Sequence, residues 1–173
     1  NAEHFQAFAS MNHPALAESG VYLSVNYRSL WKPNRKQRTK LHTGFNNEVL
    51  VLKMFPDISE STVRHILSKE NLKGVILETY GSGNAPNADW FLNILKEKIK
   101  KGLRVVNVTQ CIAGSVTMGQ YETSVGLKKI GVVSGKDITT EAAISKLMYL
   151  LGKDLSPKVF KTIYETSLRG EMS

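Results

Sequence analysis

The sequence predicts an α/β fold: four parallel strands in one sheet, helices on both faces, and an N-terminal arm and linker ahead of them. Three observations carry this. Short apolar, β-branched runs alternate with stretches whose apolar residues recur at helical spacing. Capping residues and glycines stand between them where helices should start and stop. One strand-like run, Gly74 to Thr79, breaks directly into a glycine-rich loop, Tyr80-Gly81-Ser82-Gly83-Asn84-Ala85-Pro86-Asn87, with a helix beyond. In open α/β sheets such loops at the carboxyl ends of strands are where ligands bind. Strands joined through helices imply right-handed crossovers, and the strand order expected is 2-1-3-4.

Residues 1–20 read as an irregular arm with a short helix from Pro14 to Ser19, and Val21 to Val25 as a strand. Residues 26–47 form a polar, basic stretch containing Pro33 and Gly44; its length without structure suggests a linker or lid. The βα rhythm begins at residue 48. Glu48 to Met54 is strand-like, and Ser59 is placed to cap a helix over Glu60 to Lys69 whose Val63, Ile66 and Leu67 share one face. Gly74 to Thr79 is the next strand. Trp90, Phe91, Ile94, Leu95 and Ile99 give the following helix its apolar stripe, and Gly102 stands at its C′ position. Arg104 to Val108 is a third strand, Thr109 to Gln120 a loop, and Tyr121 to Lys129 a helix. Val132-Val133 is a short fourth strand. Thr139 caps a helix over Thr140 to Leu151, with Gly152 past its end, and Ser156-Pro157 opens a last helix.

Composition narrows the function. The chain is 42% hydrophobic and 22% charged, the balance of a globular domain. No run of 18 or more apolar residues exists, so neither a membrane span nor a signal peptide is expected. A single cysteine, Cys111, rules out an internal disulfide; a reducing compartment is the simpler inference, though a secreted protein can also lack disulfides. The net charge of +8 owes most to one segment, where Arg28, Lys32, Arg35, Lys36, Arg38 and Lys40 occur without an acid among them. Trp31 alone is not the spaced set of rings that a single-strand binder carries, so this reads as a solvated loop and no nucleic-acid partner is expected.

Three loops leave the carboxyl ends of strands: Tyr80–Asn87, Thr109–Tyr121 and Ser134–Thr139. They carry Ser82, Asn84, Thr109, Gln110, Cys111, Tyr121, Glu122 and Asp137, mostly hydrogen-bonding groups suited to a small polar ligand. A nucleophile needs a positioned base. Cys111 has only His4, His13, His42 and His65 to draw on, none in a strand-end loop. Neither H-x-x-x-H nor C-x-x-C occurs, nor does the phosphate loop G-x-x-x-x-G-K-[ST], so no metal and no nucleotide cofactor is expected. Glu78 and Glu122 form a carboxylate pair only if the fold brings them together. Tyr80 and Tyr149 read as packing residues with satisfied hydroxyls. From the residues alone this is a ligand-binding half without self-contained chemistry; a stand-alone module that binds a small amino acid is the alternative.

Leu77-Glu78-Thr79-Tyr80-Gly81-Ser82-Gly83-Asn84-Ala85-Pro86, together with Val106-Asn107-Val108-Thr109-Gln110-Cys111 and the run Gly135 to Leu147, resembles the C-terminal domain of bacterial type I (cytoplasmic) L-asparaginases. Phe5 to Pro14 resembles the stretch before that family's interdomain linker, and Arg169-Gly170-Glu171 its C-terminal ending. The resemblance implies that residues 1–47 close a preceding domain and cross to residues 48–173. It implies a parent that hydrolyses L-asparagine to L-aspartate and ammonia without a cofactor, as a homo-oligomer. The family's T-G-G-T-I motif and its partner Thr-Asp are missing here, so the catalytic threonines belong to an N-terminal domain and this stretch alone is expected to be inactive. By the same resemblance Asn84 faces the substrate amine, and Tyr121 approaches the threonine of a neighbouring subunit. Cys111 matches an effector-site residue. Where that site has an arginine this chain has Glu78, which would repel an α-carboxylate, so effector binding in that form is not expected.

Overall fold

The computed structural model describes residues 9–32, 38–86, 88–119 and 122–173, without the side chains of 122 and 123. The chain divides into two units, Asn1–Leu41 and His42–Ser173. In the first, β1 (Ala17–Ser19) pairs antiparallel with β2 (Leu23–Val25), placing Ala17 opposite Val25 and Ser19 opposite Leu23. The helix expected over Pro14–Ser19 is therefore wrong. So short a segment cannot repay helix nucleation, whereas Gly20 lets the chain fold back at once onto a strand partner.

The second unit holds a four-stranded parallel sheet: β3 (Val49–Lys53), β4 (Gly74–Thr79), β5 (Arg104–Thr109) and β6 (Val133–Ser134). The strands lie in sequence order, not 2-1-3-4. The physical reason lies in how the faces are covered. With every crossover of the same hand, strands laid down in order place all their connecting helices on one face. α1 (Glu60–Ile66), α2 (Asp89–Lys100) and α3 (Glu122–Lys129) do share one core: Val63, Leu67, Phe91, Ile94, Leu95 and Leu127 pack with Leu52, Val75, Leu77 and Val105. The opposite face takes Ile76, Val106 and Val108, and is covered by α4 (Thr140–Leu151) and α5 (Pro157–Tyr164) through Ala143, Leu147, Leu150, Phe160 and Tyr164. The two C-terminal helices close the second face, so the sheet has no need to reverse its winding. Adjacent residues of β4 serve opposite cores, as the two-residue period of a strand requires.

Local signals set the boundaries. The Ser59 hydroxyl accepts from the Thr62 N–H and the Thr139 hydroxyl from the Ala142 N–H, so α1 and α4 begin where expected. Gly102, at φ 102°, stands at the C′ position, directly after the C-cap Lys101 of α2. Pro157 starts α5.

Two further devices lock the unit. Residues 42–47, expected to be linker, run along the end of α4: the Asn46 N–H donates to the Met148 carbonyl at 3.0 Å, and His42 stands edge-on to the Tyr149 ring at 5.5 Å. Gly44 and Gly152 touch backbone to backbone, leaving no room for a Cβ on Gly152. At the C-terminus, the Glu171 carboxylate accepts from the backbone N–H groups of Leu168 and Arg169 and from the Lys146 ammonium at 2.6 Å. Lys146 also donates to the Thr166 carbonyl at 2.7 Å and lies over the Tyr164 ring, with only 4% of its side chain exposed.

Candidate functional site

The loop after β4 is built on hydrogen bonds that consume its own backbone. The Tyr80 N–H donates to the Asn84 carbonyl and the Asn84 N–H to the Tyr80 carbonyl, both at 2.8 Å, so the loop closes into a narrow turn with Asn84 at its returning end. The next strand secures it. The Thr109 hydroxyl donates to the Gly81 carbonyl at 2.6 Å, the Thr117 N–H to the Ser82 carbonyl at 3.0 Å, and the Asn107 side-chain amide to the Gly83 carbonyl at 3.0 Å. Every carbonyl from Tyr80 to Asn84 thus accepts a donor. Gly83 sits at φ 103°, and a Cβ there would fall 2.7 Å from a Val116 methyl carbon. Glycine is required both by the backbone angle and by the close approach of the neighbouring loop.

Asn107 is the hidden member of this arrangement. It lies within β5, wholly buried, and its side-chain oxygen accepts the Thr79 hydroxyl at 2.6 Å while its nitrogen holds Gly83. A buried amide in an apolar strand is stable only with both ends satisfied, and here both are. Gln110 plays a similar part lower down. Its amide nitrogen donates to the carbonyls of Met54 at 2.6 Å and Glu78 at 2.9 Å, tying the ends of β3 and β4 together. Gln110 and Thr109, expected to offer hydrogen bonds to a ligand, direct these groups to the protein's own backbone.

The remaining expected residues are placed as follows. Asn84 is partly buried at the loop's returning end. Glu78 has 13% of its side chain exposed; it accepts the Thr140 hydroxyl at 2.6 Å and stands 3.5 Å from the Lys53 ammonium. Cys111 is exposed, its backbone N–H held by the Thr109 hydroxyl. Asp137 accepts the Ser173 N–H. Tyr121 and the Glu122 side chain lie outside the described residues. Tyr149 packs among His42, Phe45 and Lys153 as expected of a packing tyrosine. Tyr80 departs from expectation: its hydroxyl is buried with no hydrogen-bond partner among the described residues. Among the described residues no group of three or more His, Cys, Asp or Glu could hold a metal ion, and no helix is long and apolar enough to cross a membrane.

Such a site presents a polar tip on a rigid support. It can orient a small ligand by hydrogen bonds from fixed positions, a task that suits a site completed by groups from elsewhere. Comparison with known proteins identifies the setting. Residues 48–164 match the profile of the glutaminase/asparaginase C-terminal domain. The chain belongs to that family. It is similar to L-asparaginase 1 of Escherichia coli K12, 37% identical over 173 residues that make up 100% of this chain and 51% of that protein. It is also similar to the 60 kDa lysophospholipase of Mus musculus, 38% identical over 100% of this chain and 30% of the relative. Among solved structures, L-asparaginase I of Vibrio cholerae superposes with a TM-score of 0.88 at 38% identity, covering 96% of this chain and 50% of that one. The chain therefore spans about half the length of the L-asparaginases it matches, or less of the longer relatives.

Within this asparaginase-type C-terminal domain, the residues that sequence reasoning passed over are the supports: Asn107, Thr79 and Val116. The signal for Asn107 was present in Val106-Asn107-Val108, where an amide interrupts a run otherwise suited to full burial.

Proposed function

We propose that this chain is the C-terminal half of an L-asparaginase that hydrolyses L-asparagine to L-aspartate and ammonia. It supplies substrate-facing and subunit-interface residues to catalytic threonines on an N-terminal domain. The observation that carries the reading is the secured Tyr80–Asn84 loop, whose hydrogen-bonded frame holds Asn84 at the carboxyl edge of the sheet. Similarity to L-asparaginase 1 along the whole of this chain supports it.

Residues 1–47 then close the preceding domain and cross to residues 48–173. Asn84 meets the substrate ammonium through its side-chain oxygen, and Tyr121 approaches the threonine of a neighbouring subunit in a homo-oligomer. No cofactor takes part, and the parent is cytoplasmic. Glu78, held by Thr140 and Lys53, presents a carboxylate where an effector carboxylate would need a cation, so Cys111 does not serve asparagine as an effector site in that form.

Replacing Asn84 by alanine in the full-length parent is expected to raise KM for L-asparagine about 10–100-fold, the equivalent of losing one hydrogen bond to a charged group. Steady-state ammonia release checks it. An unchanged KM would remove Asn84 from the substrate's surroundings.

A further inference from the structure

Asn107 joins two strand-end loops to the middle of the sheet. Its backbone stands in register between Leu77 of β4 and Ser134 of β6, and its carbonyl accepts the Gly135 N–H at 2.8 Å. Its side chain, wholly buried, reaches from β5 to the Gly83 carbonyl. A carbonyl can only accept, so the amide end facing Gly83 is the nitrogen, and the oxygen is left for the Thr79 hydroxyl. The approach is close: a Cβ on Gly83 would fall 3.1 Å from that nitrogen. Val105, two residues earlier on the same face of β5, packs into the core shared with α1, α2 and α3. An apolar residue at 107 would continue that core, and the strand instead carries an amide that holds a loop.

The Gly83 carbonyl shares one rigid peptide plane with the Asn84 N–H and the Asn84 Cα. Asn107 holds that plane at its oxygen, and the Tyr80 carbonyl holds it at its N–H at 2.8 Å. Glycine at 83 leaves the plane free to turn unless something outside the loop stops it. We propose that Asn107 is a positioning residue for Asn84: it stops that rotation, and so fixes the direction from which the Asn84 side chain meets the substrate ammonium. Being buried inside the sheet, it acts through Asn84 and not on the substrate itself. Small misplacements of a substrate-orienting group weaken its contact steeply, so a tether of this kind is felt in binding. The substrate named here rests on the function proposed above; the tether itself does not.

In the full-length parent, Asn107→Leu should raise KM for L-asparagine about 5–20-fold, less than the loss of Asn84 itself, because the Asn84 amide remains but is misplaced. Adding Asn107→Leu to Asn84→Ala should leave KM within about twofold of Asn84→Ala alone, since a residue that acts through another adds nothing once the other is gone. Lys146→Met, which loosens the C-terminal segment instead of the loop, should leave KM within about twofold and so separates positioning from plain loss of stability. In the 173-residue chain, nitrogen relaxation should give backbone order parameters for Ser82, Gly83 and Asn84 that fall from about 0.85 towards about 0.6 in Asn107→Leu and hold in Lys146→Met. If Asn107→Leu fails to fold, Asn107→Ser, whose single hydroxyl cannot span Thr79 and Gly83 together, is measured in its place against the same outcomes. An unchanged KM in an active parent, a double variant whose KM multiplies the two single effects, or a loop as rigid without the Asn107 amide as with it overturns the proposal. A parent inert towards L-asparagine refutes the preceding function instead, and the order parameters still judge the tether.

Discussion

Replacing Asn107 by leucine is expected to lower the unfolding free energy by about 2–4 kcal/mol, a fall in Tm of roughly 5–12 °C for a chain of this size. The side chains are similar in volume, so the loss is not one of packing. Leucine removes the donor that satisfies the buried Gly83 carbonyl and the acceptor that takes the Thr79 hydroxyl. Thr79 retains a longer bond to the Val108 carbonyl at 3.2 Å, but the Gly83 carbonyl has no such substitute among the bonds recorded for it. Thr79→Val should cost less than Asn107→Leu. The two together should cost less than their sum, with a coupling of about 0.5–3 kcal/mol, because each removes part of one network. Chemical denaturation of the four chains measures this directly. Additive losses would mean that the two side chains do not act as a unit.

Lys146→Met is the second large effect expected, a loss of about 2–4 kcal/mol. Methionine keeps the length and apolar stem of lysine but leaves the Glu171 carboxylate without its cation and the Thr166 carbonyl without its donor. The backbone N–H groups of Leu168 and Arg169 still hold Glu171, which places the expected loss below the extreme for a broken buried pair. The pair also gives stability a pH dependence. Burial pushes the Glu171 carboxyl upward, but the Lys146 ammonium and the backbone N–H groups outweigh it and hold the pKa down to about 2. A carboxyl whose folded pKa lies below its unfolded value stabilises fully above the unfolded value. That contribution fades as pH falls from about 5 towards 2. With allowance for partial solvent screening it amounts to about 1–2 kcal/mol. Unfolding curves from pH 2 to 7 should therefore be flatter for Lys146→Met than for the unaltered chain. Parallel curves would show that the pair contributes no linkage.

The legible parts of the fold were those where a local signal and the tertiary structure agree. Gly74–Thr79 and Thr140–Leu151 run as read because one is a fully buried apolar strand and the other carries a hydroxyl cap. Of the hairpin, β2 lies inside the strand expected over Val21–Val25, whereas β1 falls where a helix was expected, because Ala17–Ser19 shows no alternation to oppose a weak helical preference. Strand order depends on which face each helix covers, and periodicity within a helix is blind to that. The expected order 2-1-3-4 fails because α4 and α5, not a reversal of the winding, cover the second face. At the site, the glycine-rich loop announced itself. The destination of each donor did not: Thr109 and Gln110 are the same residue types whether they serve a ligand or a carbonyl of the chain itself, and only their geometry separates the two.

The most direct measurement is ammonia release from L-asparagine by the pure 173-residue chain beside its full-length parent. Under the proposed function this chain supplies substrate contacts to catalytic threonines carried by an N-terminal domain. The chain should stay at the rate of buffer alone while the parent turns over. Sustained hydrolysis by the chain at a rate near that of the parent would contradict the account.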